Sequence, residues 1–416
     1  MKIRGLALFM VFSLAMGVNS ASANKPPSPG SSCPRVGATV TSGKLKFTCV
    51  KNGKKGRWSK GVAVKAGAGS TATPADSLNF KGAMVYDTKN SFLTRKATSG
   101  TYFESDSRSV SAFSPIRAKA YAELNRNPGD TSHPNVEFVY DVRPSFPKSV
   151  LEHSKRELAE AAAMWNDVFS SKIRINVYLV TEQDRDYVKS NRWLQNSLSS
   201  LSRFDNKNER PFVSGGGGFF ESNGVLQGNI KLATASYLDL SYISYEWPQV
   251  AKHEFFHVVQ DYSQYKSNRA RPNSQQEALI IQPNHFREGA ANTVGYLTGF
   301  RNLGWGSDAM DWMVWQRALN SRNWIDIKSV DDVIRMMVGT ENWEPNEAFE
   351  MAYAIGALMY EWVIGTYGRD GFIKLMNQFA TANSFDEALQ KSIGLTKSDF
   401  YAKAAPYVLS VFQATK

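Results

Sequence analysis

From residue 136 onward, apolar and polar positions repeat with periods that predict regular elements. Val136, Phe138, Tyr140 and Val142 alternate with Glu137, Val139, Asp141 and Arg143, the period of two expected of a half-buried strand. Residues 149–170 carry Leu151, Leu158, Trp165, Val168 and Phe169 along one stripe and predict a helix. Ile173, Ile175, Val177 and Leu179, alternating with Lys172, Arg174 and Asn176, predict a second strand, and a third is expected at 229–235. A helix then runs through VAKHEFFHVVQDY, and Pro248 suits its start because a missing N–H falls where no helix bond is needed. Beyond residue 288 the pattern is almost wholly helical, most clearly at 310–319, 330–337, 348–367 and 370–380. Strand, helix, strand, strand, helix and then a helical half predict an α+β domain.

The chemistry sits in His253-Glu254-Phe255-Phe256-His257. Two histidines four apart share one helix face, so both imidazoles can reach a single ion. Glu254 follows the first histidine directly, where its carboxylate can polarise water rather than ligate the metal. The chain has only five histidines in 416 residues, which makes a chance occurrence of this spacing a weak competitor. The competing structural reading is an amphipathic helix with polar surface histidines. A third protein ligand is required. Glu288 in Asn284-His285-Phe286-Arg287-Glu288-Gly289-Ala290-Ala291-Asn292 is one candidate, and His285, on the same helix face, is another. Asp261, on the ligand face, could ligate or support, and a solvated surface aspartate is the plainer reading. His133 and His153 read as ordinary polar positions.

An H-E-x-x-H helix followed by Glu288-Gly289-Ala290-Ala291 resembles the gluzincin branch of zinc metallopeptidases, a likeness that extends over residues 136–410. The resemblance implies a zincin-like catalytic domain at 136–416, a mixed sheet with the H-E-x-x-H helix and a helical C-terminal subdomain. It implies Zn2+ held by His253, His257 and Glu288, with Glu254 as general base acting on a peptide or protein substrate. Asn292 stands where many gluzincins carry an aspartate that supports a ligand histidine. Tyr353-Ala354-Ile355-Gly356 resembles the Y-x-x-G helix that supplies a transition-state tyrosine, so Tyr353 is the candidate oxyanion donor, with Tyr360 as the fallback and a core tyrosine as the plainer reading. Ser214-Gly215-Gly216-Gly217-Gly218 either lines the cleft or forms a flexible hairpin loop. Glu221 has the place of a substrate-anchoring glutamate, but the G-x-M-E-N motif is missing, so exopeptidase action gains no support.

Upstream of this domain the composition changes. Lys2, Arg4, the apolar run 5–18 and Ala21-Ser22-Ala23 read as a secretory signal over residues 1–23, which implies an exported, soluble protein. No other stretch has the length and apolarity of a membrane span. Cys33 and Cys49 are the only cysteines, and in an oxidising compartment they are expected to pair and close a small module over 24–61. Residues 62–77, rich in Ala, Gly, Ser and Thr, read as a flexible linker. Residues 78–135 are either an N-terminal extension of the domain or a propeptide.

The net charge of +11 has one source, because the first 75 residues hold twelve of the 49 Lys and Arg and none of the 38 acids. Such a patch favours polyanions, and for an exported protein an anionic cell-surface polymer is the expected partner rather than nucleic acid. A basic solubilising tail is the plainer reading. Two functions from different classes therefore follow: a secreted zinc metallopeptidase, or a catalytically silent zincin-fold surface-binding protein. A zinc hydrolase acting on another bond is a third.

Overall fold

The computed structural model describes residues 28–33, 36, 39–42, 45–53, 55–63, 84–87, 92–95, 114–127, 129–191, 193–195, 201–202, 205, 213–222, 225–238, 247–265, 280–299, 309–311, 313–314, 317, 327–342 and 346–415. Two compact units divide the chain, Met1–Thr73 and Pro74–Lys416. The signal segment 1–23 lies outside the described residues, and none of the described helices is long and apolar enough to cross a membrane.

In the first unit β2 (Leu45–Asn52) pairs antiparallel with β1 (Thr39–Ser42), β3 (Lys55–Trp58) and β4 (Val62–Ala63). Gly53, at φ 61°, supplies the left-handed residue of the tight β2–β3 turn. Phe47, Cys49 and Trp58 are buried together, and Cys33 packs on them through its disulfide to Cys49. Closing that loop is worth about 3 kcal/mol in the chain-entropy model, a large share for so small a core. A Cβ at Gly56 would press on both sulfurs, so glycine is what lets β3 lie against the bridge. The stretch expected to be linker thus begins inside a strand; its residues 64–77 lie outside the described residues.

The second unit opens with a hairpin of β5 (Met84–Asp87) and β6 (Phe92–Arg95). Helix α1 (Pro115–Leu124) follows, in a region whose sequence gave no periodic signal. The reason is visible in α1 itself, because its most deeply buried residues include Arg117, fully enclosed. Arg117 Nε donates to Glu361 Oε1 at 2.5 Å and its Nη1 to Asp311 Oδ1 at 2.7 Å, while Tyr407 donates to the other Glu361 oxygen at 2.7 Å. A charge so paired holds α1 in the core, and removing one partner costs about 3–5 kcal/mol.

The central sheet has the order β7 (Val136–Val142), β8 (Ile173–Thr181), β10 (Val225–Thr234), β9 (Val213–Ser222). β7 and β10 run parallel to β8, and β9 is antiparallel at the edge, so the sheet is mixed. Helix α2 (Lys148–Trp165) and the long helix α4 (Trp247–Tyr265) pack on the sheet, with α3 (Arg185–Ser190) beyond β8. The remainder is helical: α5 (Ala290–Gly299), α6 (Val330–Gly339), α7 (Asn346–Gln378), α8 (Phe385–Ile393) and α9 (Lys397–Thr415). Gly368, at φ 73°, breaks α7 where the sequence predicts a gap between two helices. One core of Val, Leu, Ile, Phe and Met side chains joins sheet and helices.

Two differences from the sequence pattern matter for the site. The glycine run is not a loop; it is the middle of β9, paired residue for residue with β10. Glycine is depleted in strands, which is why period and propensity both miss it. Glu288 also does not sit in an α-helix. His285–Gly289 is a π-helical turn that leads into α5, a local widening common at functional positions.

Candidate metal centre

Helix α4 lies between β9 and α5, and its buried face carries His253, Glu254 and His257. Glycines on both sides permit this. A Cβ at Gly215 would overlap the Glu254 carboxylate, and one at Gly217 would overlap the Glu254 carbonyl. On the other side Gly295 of α5 abuts Gln249 and the His253 Cβ. The glutamate following the first histidine is therefore enclosed by bare backbone, which leaves its carboxylate a single small space to occupy.

The π turn brings Glu288 to the same place. Its Oε2 is 3.6 Å from His253 Nε2 and 3.5 Å from His257 Nε2, and the two imidazole nitrogens are 3.1 Å apart. Four tetrahedral ligands at zinc bond lengths stand about 3.3 Å from one another, so three converging atoms at these spacings fit a single ion. All three residues are buried. Glu254 also offers an oxygen within 4.8 Å of both histidines, and His253, Glu254 and His257 together form a group able to hold a metal ion. The triangle with Glu288 is the tighter of the two sets.

Electrostatics divides the two carboxylates. Burial pushes Glu254 up to about 7, with His253 opposing the rise and the Glu288 charge adding to it. Burial acts on Glu288 as well, yet the His257 and His253 rings hold it well below the usual carboxylate range. One carboxylate is thus a fixed anion and the other is poised to take a proton near neutrality.

The imidazoles differ in support. His257 Nδ1 is 2.8 Å from Gln260 Oε1, and Gln260 in turn donates from Nε2 to the carbonyls of Phe286 and Arg287 at 3.2 and 3.0 Å. The amide orientation makes Nδ1 of His257 the donor to Gln260 and leaves Nε2 facing His253 and Glu288. Gln260 was not among the sequence candidates, although its position three residues after His257 is the signal that could have found it. His253 Nδ1 is buried without a partner among the described residues, as is Gln249 Oε1 one turn earlier. Asn292 does not support His253: its amide donates to the Tyr353 carbonyl at 3.3 Å and to Met313 Sδ at 3.7 Å.

Asp261 is half-buried and serves as a support. Its Oδ2 accepts from the Phe219 amide at 3.1 Å and its Oδ1 from Arg287 Nη1 at 3.2 Å, so it ties β9, α4 and the π turn together.

Tyr353 reaches the site from α7. Its ring stacks on His253 at 6.2 Å with an interplanar angle of 6°, and its hydroxyl bonds Glu288. Burial, then the Glu288 charge, raise its pKa well above the ordinary value, so it stays a hydrogen-bond donor. The Arg317 guanidinium lies 4.6 Å from the ring centroid and pairs with Glu350 at 2.7 Å. Two glycines set this approach. A Cβ on Gly289 would strike the Gly356 backbone, and one on Gly356 would strike the His285 carbonyl and Gly289. Backbone touching backbone one turn from Tyr353 brings its hydroxyl to Glu288, and Thr293 fastens the crossing by donating to the Ala357 carbonyl at 2.7 Å.

Tyr360 and His285, the alternatives for oxyanion donor and third ligand, belong elsewhere. His285 Nδ1 is 3.0 Å from the Tyr360 hydroxyl and Nε2 is 3.0 Å from the Tyr401 hydroxyl, which donates to Glu341 at 2.9 Å. Both ring nitrogens are engaged, so neither is free for a metal. The Glu221 side chain lies outside the described residues. Among family models, curated proteins and solved structures, none matches this chain.

Proposed function

We propose that this chain is an exported zinc-dependent peptidase of gluzincin type, in which His253, His257 and Glu288 hold the metal. The observation that carries the reading is the triangle of His253 Nε2, His257 Nε2 and Glu288 Oε2 with edges of 3.1 to 3.6 Å. Bound zinc supplies a Lewis acid that acidifies water and polarises a carbonyl. Glu254 takes the proton of the attacking water, a role favoured by a pKa near 7, and returns it to the leaving amine. Tyr353 donates to the oxygen of the scissile carbonyl as negative charge develops there. Gln260 holds His257 in the ligating tautomer. The edge of β9 beside Glu254 offers an extended peptide a strand to pair with. In the basic first unit, Lys51, Lys55 and Lys60 are exposed, as suits docking to an anionic surface polymer.

The test is metal analysis of the purified protein and of Glu288→Ala, with digestion of an unstructured protein in the presence and absence of chelator. The expected result is about one zinc per chain, weakened by the substitution, with cleavage that chelator stops. Zinc without cleavage would favour the silent binding protein, and absence of zinc would remove both.

A further inference from the structure

The outer face of the sheet beside the glycine strand holds a cation, Lys231, with no anionic partner among the described residues. Register places Asp141, Tyr178, Lys231 and Gly216 in one row across β7, β8, β10 and β9. Since Cβ atoms at Gly215 and Gly217 would face α4, alternation turns Gly216 and Lys231 to the opposite face. There the Lys231 side chain runs over Gly216, so close that a Cβ on Gly216 would overlap its Cε. The ammonium lies 5.5 Å from the Trp193 ring centroid, and Trp193 packs on Tyr178 at 5.5 Å. Asp141, the acid of the row, is taken by the Tyr187 hydroxyl. Lys231 makes no ion pair among the described residues; the acid whose charge it feels is Glu254, behind the strand, and partial burial lowers its pKa.

We propose that Lys231, backed by Trp193, forms a subsite for an acidic side chain of an extended peptide bound along β9. The inference rests on the peptidase reading for its ligand class. The Phe219 amide donates to Asp261 at 3.1 Å, so parity turns the amides of Gly215 and Gly217 to the same, outer edge of β9. No described strand pairs with that edge. A peptide added there continues the row, and its outward residue next to Gly216 stands two strand spacings from Lys231, roughly 10 Å between backbones. Gly216 places no side chain between them. A lysine and an Asp or Glu extended toward one another close that gap, and the indole face keeps the ammonium aimed along the row. An apolar residue at position 216 would block it. The glycine run thus serves two faces: Gly215 and Gly217 admit Glu254, while Gly216 admits Lys231.

The experiment uses the full chain carrying Glu254→Gln, so that peptides bind without turnover. Fluorescein-labelled hexapeptide mixtures with a single Asp, or Asn in its place, are titrated by fluorescence anisotropy at low and high salt. The expected result is Asp binding roughly fivefold tighter than Asn at low salt, the size of one partly exposed ion pair, with the gap closing at high salt. Lys231→Met, or Lys231→Gln should the first fold poorly, removes the difference, and Lys231→Glu reverses it toward peptides with Lys. Equal binding of Asp and Asn peptides to the protein with Lys231 intact overturns the subsite, as does a preference that survives Lys231→Met. In parallel, cleavage sites in a peptide mixture are mapped for the protein with Glu254 present. Cleavage without acidic preference overturns the subsite and leaves the peptidase reading standing, whereas no cleavage with a Lys231-dependent Asp preference removes the peptidase reading and leaves the subsite.

Discussion

Two buried histidine clusters flank α7, and they are built in opposite ways. Around His285 every polar atom is spoken for: Tyr360 donates to Nδ1, Nε2–H donates to Tyr401, and Tyr401 donates to Glu341. Around His253 and His257, two ring nitrogens and a carboxylate oxygen converge to within 3.1 to 3.6 Å of one another. A closed network stabilises a fold, because each buried polar group has its partner. A convergence of ligand atoms at these spacings is instead one that could hold a metal ion. His285 and Glu288, three positions apart on one π turn, thus divide between the closed network and the converging set.

Acid is the strongest lever on the closed cluster. Burial, with a smaller contribution from Lys397, pushes His285 down to about 3, whereas an unfolded histidine titrates near 6.5. Between those values the unfolded chain holds the extra proton, so stability is lost as pH falls through that window, by at most about 5 kcal/mol. Thermal melts across the window should show a steep acid slope that flattens in His285→Gln. Equal slopes in the two proteins would break the contrast.

Next in size is the open cluster's chemistry. Glu254→Gln should lower kcat by about 10²–10⁴-fold with metal content unchanged, as measured by turnover and metal analysis. Loss of metal instead would make Glu254 a ligand and redraw the site. The two tyrosines of α7 then give a paired test. Tyr353→Phe should reduce kcat about 10²-fold at unchanged melting temperature. Tyr360→Phe should cost about 1–3 kcal/mol of stability, by leaving His285 Nδ1 unpaired, without altering metal content. The smallest effect belongs to Gln260→Ala, which should weaken zinc affinity about 10–100-fold in competition with a chelator.

What the sequence conveyed divides along the same line. The ligand spacing of His253 and His257 is local and survives any tertiary detail, so it could be read directly. Glu288 and Tyr353 depend on a π turn and on contact between Gly289 and Gly356, which no period encodes. Only their likeness to known motifs singled them out. The strands at 136–142 and 173–181 were legible because one face is buried, whereas β9 was hidden by its glycines. Helix α1 was hidden because it buries an arginine, the reverse of the pattern an amphipathic helix presents.

The Arg117–Glu361 pair also bears on when the molecule becomes itself. Its two partners are 244 residues apart, and Tyr407, which completes the cluster, lies another 46 beyond. During synthesis α1, the sheet and all three candidate ligands leave the ribosome before Glu361, the more deeply buried of the two carboxylates on Arg117. Enclosing the cation without that anion is costly, so closure of the core around Arg117 is expected to wait for α7. The contacts that enclose Arg117 are thus non-local, 244 residues apart in the chain, and their formation is expected late in the folding of this unit.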